Sequence, residues 1–147
     1  MKTTFIGLLF LVAPYINAQE KIRTFQLSDA PRYSEETGYG YDLTDTPEKD
    51  SKAPFFFSVR VPDGNYQVTV RLGSKKQAGV TTVRGESRRL FIDNLATSKG
   101  QFVDETFIIN KRNPRISEKE SVRIKPREKA KLNWDDKLTL EFNGDAP

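Results

Sequence analysis

Pro54-Phe-Phe-Phe-Ser-Val-Arg-Val-Pro-Asp-Gly-Asn-Tyr-Gln-Val-Thr-Val-Arg-Leu72 is the stretch that decides the fold. Phe55, Phe57, Val59 and Val61 alternate with Phe56, Ser58 and Arg60. Further on, Tyr66, Val68, Val70 and Leu72 alternate with Gln67, Thr69 and Arg71. A strand sends successive side chains to opposite faces, so each arm has one buried face and one mostly wet face. Pro62-Asp-Gly-Asn65 separates the arms: proline fixes φ, and glycine accepts a positive φ at little cost. The pattern predicts a β-hairpin with Phe57 and Val68 in the core and Phe56 on the other face.

Similar but shorter signals flank this pair. Arg23 to Leu27 and Gly38-Tyr-Gly-Tyr-Asp-Leu43 are strand candidates, the glycines allowing close packing. Ser28 to Thr37 is polar and turn-rich, and Thr44 to Ala53 is a charged loop. Val80 to Val83, Arg89 to Ile92 and Gln101 to Ile109 follow as strands, after a polar loop from Gly73 to Gly79. Val122, Ile124 and Pro126 alternate with Arg123 and Lys125, as Leu138, Leu140 and Phe142 do with Thr139 and Glu141. No segment holds a 3.6-residue apolar period over three turns, and there is no internal repeat. Roughly eight short, turn-punctuated strands predict an all-β antiparallel sandwich or jelly roll.

The 147 residues allow one domain with a genuine core, and 30% charged against 36% hydrophobic residues argues against full disorder. Met1 to Ala18 reads as a secretory signal peptide. Lys2 is its positive start, Phe5 to Val12 its apolar stretch, and Ile16-Asn-Ala18 its cleavage site, with cleavage after Ala18. Residues 19–147 then form the sandwich, and the protein is secreted or periplasmic with no membrane attachment after the signal is removed. No other apolar run approaches membrane-spanning length. The signal removes one basic residue and no acid, leaving a net charge of +3 against +4 for the whole chain. That mild, interspersed excess and export together make nucleic acid an unexpected partner. The chain has no cysteine, so core packing and not disulfides must stabilise it.

The chain also has no histidine. A serine nucleophile is most often activated by a histidine base, and a cysteine nucleophile is excluded outright. No catalytic residues are therefore expected in this chain.

A set of motifs covers most of the chain after the signal. They are Gly38-Tyr-Gly-Tyr-Asp42, Pro54 to Gly73, Thr81-Thr-Val-Arg-Gly-Glu-Ser-Arg-Arg-Leu90 and Asn110-Lys-Arg112. Val122-Arg-Ile-Lys-Pro-Arg-Glu-Lys129 and Leu132-Asn-Trp-Asp-Asp-Lys-Leu-Thr-Leu-Glu-Phe-Asn-Gly144 complete the set. In them the chain resembles the N-terminal, galactose-binding-like β-sandwich of bacterial rhamnogalacturonan acetylesterases of the SGNH (GDSL-type) hydrolase family. The resemblance implies a non-catalytic accessory module next to an esterase domain, in cis or in trans, that deacetylates pectic rhamnogalacturonan. The family's Gly-Asp-Ser and Asp-x-x-His blocks do not occur here, and the opening strand is reduced to Thr24-Phe-Gln-Leu27. In the family one more strand follows the point where this chain stops, so the resemblance implies a truncated or split gene. A free-standing carbohydrate-binding module and an assembly module without sugar affinity are the alternatives.

Several groups are candidates for sugar or interdomain contact. Arg84, Glu86, Arg88 and Arg89 form a charged cluster; arginine forks bind carboxylates, as on galacturonate. The commoner role for such a cluster is an ion pair at a strand end or domain seam. Trp134, Tyr39 and Tyr41 offer flat faces for a pyranose, though tryptophan flanked by Leu132 and Leu138 more often caps a core. Arg123, Lys125, Arg127, Lys129 and Lys131 fall on odd positions and make a basic face for polyanions or, more commonly, a solvated edge. Asp135 and Asp136, with Asp42 or Asp45, supply oxygen ligands of the kind calcium takes, but without EF-hand spacing. No cofactor and no metal are expected.

Overall fold

A computed structural model describes residues 22–43, 53–126 and 134–145. The expected signal peptide and its cleavage site, Asp45 and the rest of the loop to Lys52, and Arg127, Lys129 and Lys131 lie outside the described residues. Among the described residues seven strands make two sheets: β1 (Tyr39–Asp42), β2 (Phe55–Arg60), β3 (Gly64–Leu72), β4 (Gly79–Gly85), β5 (Arg89–Thr97), β6 (Val103–Lys111) and β7 (Lys137–Asp145). One sheet runs β1-β2-β7-β4-β5 and the other is the pair β3-β6. All ladders are antiparallel. The protein is an all-β sandwich, as the alternation predicts.

The predicted hairpin is corrected. Both arms are strands, but they are not partners. β2 pairs with β1 on one side and β7 on the other, while β3 pairs only with β6 in the opposite sheet. After Arg60 the Val61 amide donates to the Asp136 carbonyl (3.3 Å), which extends the contact with β7, not with β3. Pro62 has no amide to donate, and the Tyr66 hydroxyl donates to its carbonyl (2.7 Å), bracing an arch that carries the chain between sheets. Burial still follows the alternation. Phe55 and Phe57 are buried, Val68 packs against the core, and Phe56 points to the other face.

Two other expected strands are also corrected. Arg23 to Leu27 forms no ladder, and Leu27–Asp29 is a single 3-10 turn. The segment instead lays Phe25 against Tyr39 and Phe57, with ring centroids 4.9 and 5.6 Å away. The alternation from Val122 to Pro126 makes no strand; an isolated bridge joins Arg115 to Ser121. Val122, Arg123 and Lys125 are exposed, so no sheet face buries these alternating residues.

The core lies between the sheets. Tyr41, Phe55, Phe57, Val83, Ile92, Leu138, Leu140 and Phe142 of the larger sheet meet Val70, Leu72 and Ile109 of the smaller one. Phe55 stacks on Phe142 (4.9 Å), and Phe91 stacks on Phe107 (4.4 Å) to tie β5 to β6. Beside β1, residues 31–33 run so close that a Cβ on Gly40 would sit 2.3 Å from the Pro31 carbonyl oxygen. That approach lets the Tyr41 amide donate to Pro31 and the Tyr33 amide donate to Tyr41 (2.9 and 2.8 Å), covering the edge of the sheet.

Candidate functional site

The charged residues converge on one end of the sandwich, where β2, β4 and β6 finish and β3, β5 and β7 begin. The β4–β5 connection is the three-residue turn Glu86-Ser87-Arg88, since Gly85 pairs with Arg89. Glu86 and Ser87 both adopt positive φ (49° and 75°), which non-glycine residues rarely do. The turn is held against β7. The Glu86 amide donates to the Thr139 carbonyl (3.0 Å), and the Thr139 amide donates to Glu86 Oε1 (3.1 Å).

Glu86 is 4% exposed. Burial pushes its carboxyl up to about 7. The Thr139 amide opposes the rise, Asp135 adds to it, and Arg89 and Lys111 work against it. Asp135 is likewise raised, first by burial and further by Asp136, against the pull of the Lys137 amide and the Lys137 and Lys111 charges. The Lys111 side chain is 4% exposed, and its Nζ donates to Asp63 Oδ1 (2.8 Å). That bond is the main reason the Asp63 carboxyl sits below its ordinary value. Arg89 donates to the Asn110 carbonyl (3.0 Å), and Arg84 pairs with Glu141 (3.4 Å).

The outer face of the larger sheet continues this polar ground. Ser58 and Thr139 share a buried hydroxyl hydrogen bond of 2.7 Å. Lys137 donates to Asp42 Oδ2 at 2.6 Å and lies over the Tyr33 ring (4.8 Å). Burial alone would raise Asp42, but the Lys137 and Ser58 hydrogen bonds and the lysine charge bring it below its ordinary value. Burial works against the Lys137 charge, but the Asp42 hydrogen bond and charge outweigh it and raise the lysine.

The sequence candidates separate here. Arg84, Glu86, Arg88 and Arg89 do cluster, but the Glu86 carboxyl takes the Thr139 amide, and the expected ion pair is instead Arg84 with Glu141. Trp134 is half-buried with φ of 80°, and the Arg112 guanidinium lies over its ring at 4.8 Å. Tyr41 is buried and its hydroxyl donates to Leu27 (2.8 Å), while Tyr39 is wedged against Phe25 and Phe57. Tyr41 presents no free face, and Tyr39 is half-buried against the core. Asp42, Asp135 and Asp136 serve Lys137 Nζ, the Lys137 amide and Arg60 respectively. Among the described residues no three carboxylates gather as a metal site would need.

Sequence reasoning missed Lys111, Asp63 and Arg112. The signal for Lys111 was available: Phe107, Ile109 and Lys111 continue one period-2 series, which turns the lysine inward at the end of β6.

A shallow depression lined by Arg84, Gly85, Glu86, Ser87, Thr139 and Glu141 opens beside the turn. It encloses no space that a water molecule could occupy, whereas small-molecule pockets begin at ~300 Å³. Leu90, the β5 partner of Arg84, is 51% exposed. The arrangement suits contact with a surface better than enclosure of a substrate. No family model matches the chain, and searches of the curated proteins and of the solved structures find no match.

Proposed function

We propose that this chain is the non-catalytic accessory sandwich of a secreted, rhamnogalacturonan acetylesterase-like SGNH hydrolase, and that it docks on the esterase domain through the Glu86 turn. The single observation that carries the non-catalytic reading is the state of Glu86. In a chain with no histidine and no cysteine, Glu86 is, among the described residues, the carboxyl raised to about neutrality, and it is 4% exposed with its carboxyl on the Thr139 amide. A general base must reach the proton it removes, and this one has no room for a substrate beside it. The family and the pectic substrate rest on the motif resemblance, and the substrate belongs to the partner domain.

Docking is favoured over sugar binding because Tyr39 and Tyr41 are spent on the core, whereas Leu90, Ser87 and Arg88 stand at the surface around the turn. An exposed apolar side chain ringed by charge is the make-up of a modest protein contact. The second reading is a free-standing carbohydrate-binding module, and the Arg112–Trp134 stack is the observation in its favour.

The test compares two ligands. An SGNH esterase domain of this kind and acetylated rhamnogalacturonan are each titrated into the purified protein by calorimetry. Binding to the esterase domain that is lost in Leu90→Asp, with no heat from the polysaccharide, supports docking. Polysaccharide binding lost in Trp134→Ala, with no binding to the esterase domain, overturns it in favour of the binding module.

A further inference from the structure

The end of the sandwich holds a balanced set of charges, buried at Lys111 and reaching the surface at Asp63, into which Glu86 does not fit as an anion. Lys111 and Arg89 bring two positive charges from β6 and β5. Asp63, on the arch between β2 and β3, and Asp135, ahead of β7, bring two negative ones. Arg84 of β4 and Glu141 of β7, which line the same depression, cancel each other as a pair. An ionised Glu86, 4% exposed, adds a third negative charge that feels Arg89 and Lys111 without forming an ion pair with either, and a buried charge lacking a direct partner is costly. The same residue carries strained backbone. Glu86 and Ser87 are both held at positive φ, and the described hydrogen bonds that fix Glu86 run to Thr139 and back from Arg88. Strain of this kind persists only while the surroundings enforce it.

We propose that the Glu86–Arg88 turn is a proton-operated latch, closed on β7 through Thr139 when the Glu86 carboxyl is protonated and released when it ionises. A protonated carboxyl keeps one oxygen free to accept the Thr139 amide and adds no charge. Ionisation strengthens that one bond, but burial outweighs it, which is why the carboxyl sits at about 7 and not below its ordinary 4.5. The sign follows from proton linkage. The folded protein holds this proton where the unfolded chain has lost it. Stability from Glu86 is therefore full below 4.5 and is lost as pH rises through about 7. Release exposes the polar groups of Glu86 and Thr139 and frees Ser87 and Arg88, so the face beside Leu90 differs between mildly acidic and mildly alkaline surroundings. The latch stands on this chain alone, whether or not an esterase domain docks there.

The experiment follows the Glu86 side-chain carboxyl and the Thr139 amide by NMR on the whole protein across the pH range. The carboxyl titrates near 7. Thr139 amide protection, corrected for intrinsic exchange, falls on the order of tenfold or more from mildly acidic to mildly alkaline pH. Glu86→Gln mimics the protonated state and keeps Thr139 protected throughout. Asp135→Asn removes a neighbouring negative charge and moves the Glu86 midpoint down. A Glu86 carboxyl titrating in the ordinary range, or Thr139 protection that does not change with pH in the unaltered protein, overturns the latch. So does a Glu86→Gln protein that loses protection as the unaltered one does. If Glu86→Gln does not fold, the direction of the Asp135→Asn shift decides: an unmoved or raised midpoint overturns the proposal.

Discussion

The Ser58 and Thr139 hydroxyls lie 2.7 Å apart, both buried, on the face of the larger sheet that alternation marks as wet. They stand opposite each other on β2 and β7. Lys137 reaches past them to Asp42, so small polar side chains sit beneath a charged lid. Thr139→Val removes this hydrogen bond, leaving Ser58 its bond to Asp42, and lowers stability by about 0.5–1.5 kcal/mol. Adding Ser58→Ala costs less than the sum of the two single changes, because both remove the same hydrogen bond. Chemical denaturation of the two single variants and the double variant measures this coupling.

The register of β2 is tested by its phenylalanines. Phe57 is buried among Phe25, Tyr39 and Tyr41, and Phe57→Ala costs about 3–5 kcal/mol. Phe56, half-buried on the opposite face, costs clearly less when replaced by alanine. Denaturation midpoints of the two variants give the comparison, and equal losses contradict the register.

Gly85, beneath the turn, lies directly under the Ile109 side chain of the opposite sheet. A Cβ there would lie 2.4 Å from Ile109 Cδ1 and 3.0 Å from the Phe91 ring. Gly85→Ala therefore overpacks the core and destabilises the protein by about 1–3 kcal/mol. Trimming Ile109 to valine in the same protein restores part of the loss, which a thermal melt of both variants reads directly.

Much of the fold was legible because period 2 is a local property. Phe55 and Phe57 inward, Tyr66 to Leu72 inward and the β7 core positions Leu138, Leu140 and Phe142 all follow from it. Partnership between strands is not local. A hairpin and an arch both put Phe57 and Val68 inward, and Pro62-Asp-Gly64 is compatible with either. The choice was made by β7, which lies far along the chain and inserts between β2 and β4. Thr24-Phe-Gln-Leu27 failed as a strand because the Phe25 ring covers Tyr39 and Phe57 at the edge of the core, with Leu27 packed beside it. At the site, the Arg84–Arg89 cluster was legible as a charged group. Its bonding was not, since the partner of Glu86 is a backbone amide, which no residue type announces.

The Asp42–Lys137 pair gives a second pH dependence of opposite sign to that of Glu86. Asp42 is held below its ordinary value, so its contribution is present above the unfolded carboxylate value and lost as pH falls through the lower folded value. Asp42→Asn removes that acid-side loss and lowers stability at neutral pH, because Lys137 then keeps its buried charge without its partner. Thermal melts across the acid range, with and without the substitution, show the two slopes separate.

The central claim is that this sandwich serves an esterase without being one. The most direct measurement is acetate release from acetylated rhamnogalacturonan by the purified protein alone, beside a heat-treated control. The account predicts no release above the control, and unchanged silence on a small chromogenic acetate ester. Steady turnover that disappears when a single serine is changed to alanine would contradict it and place a hydrolytic centre in this chain.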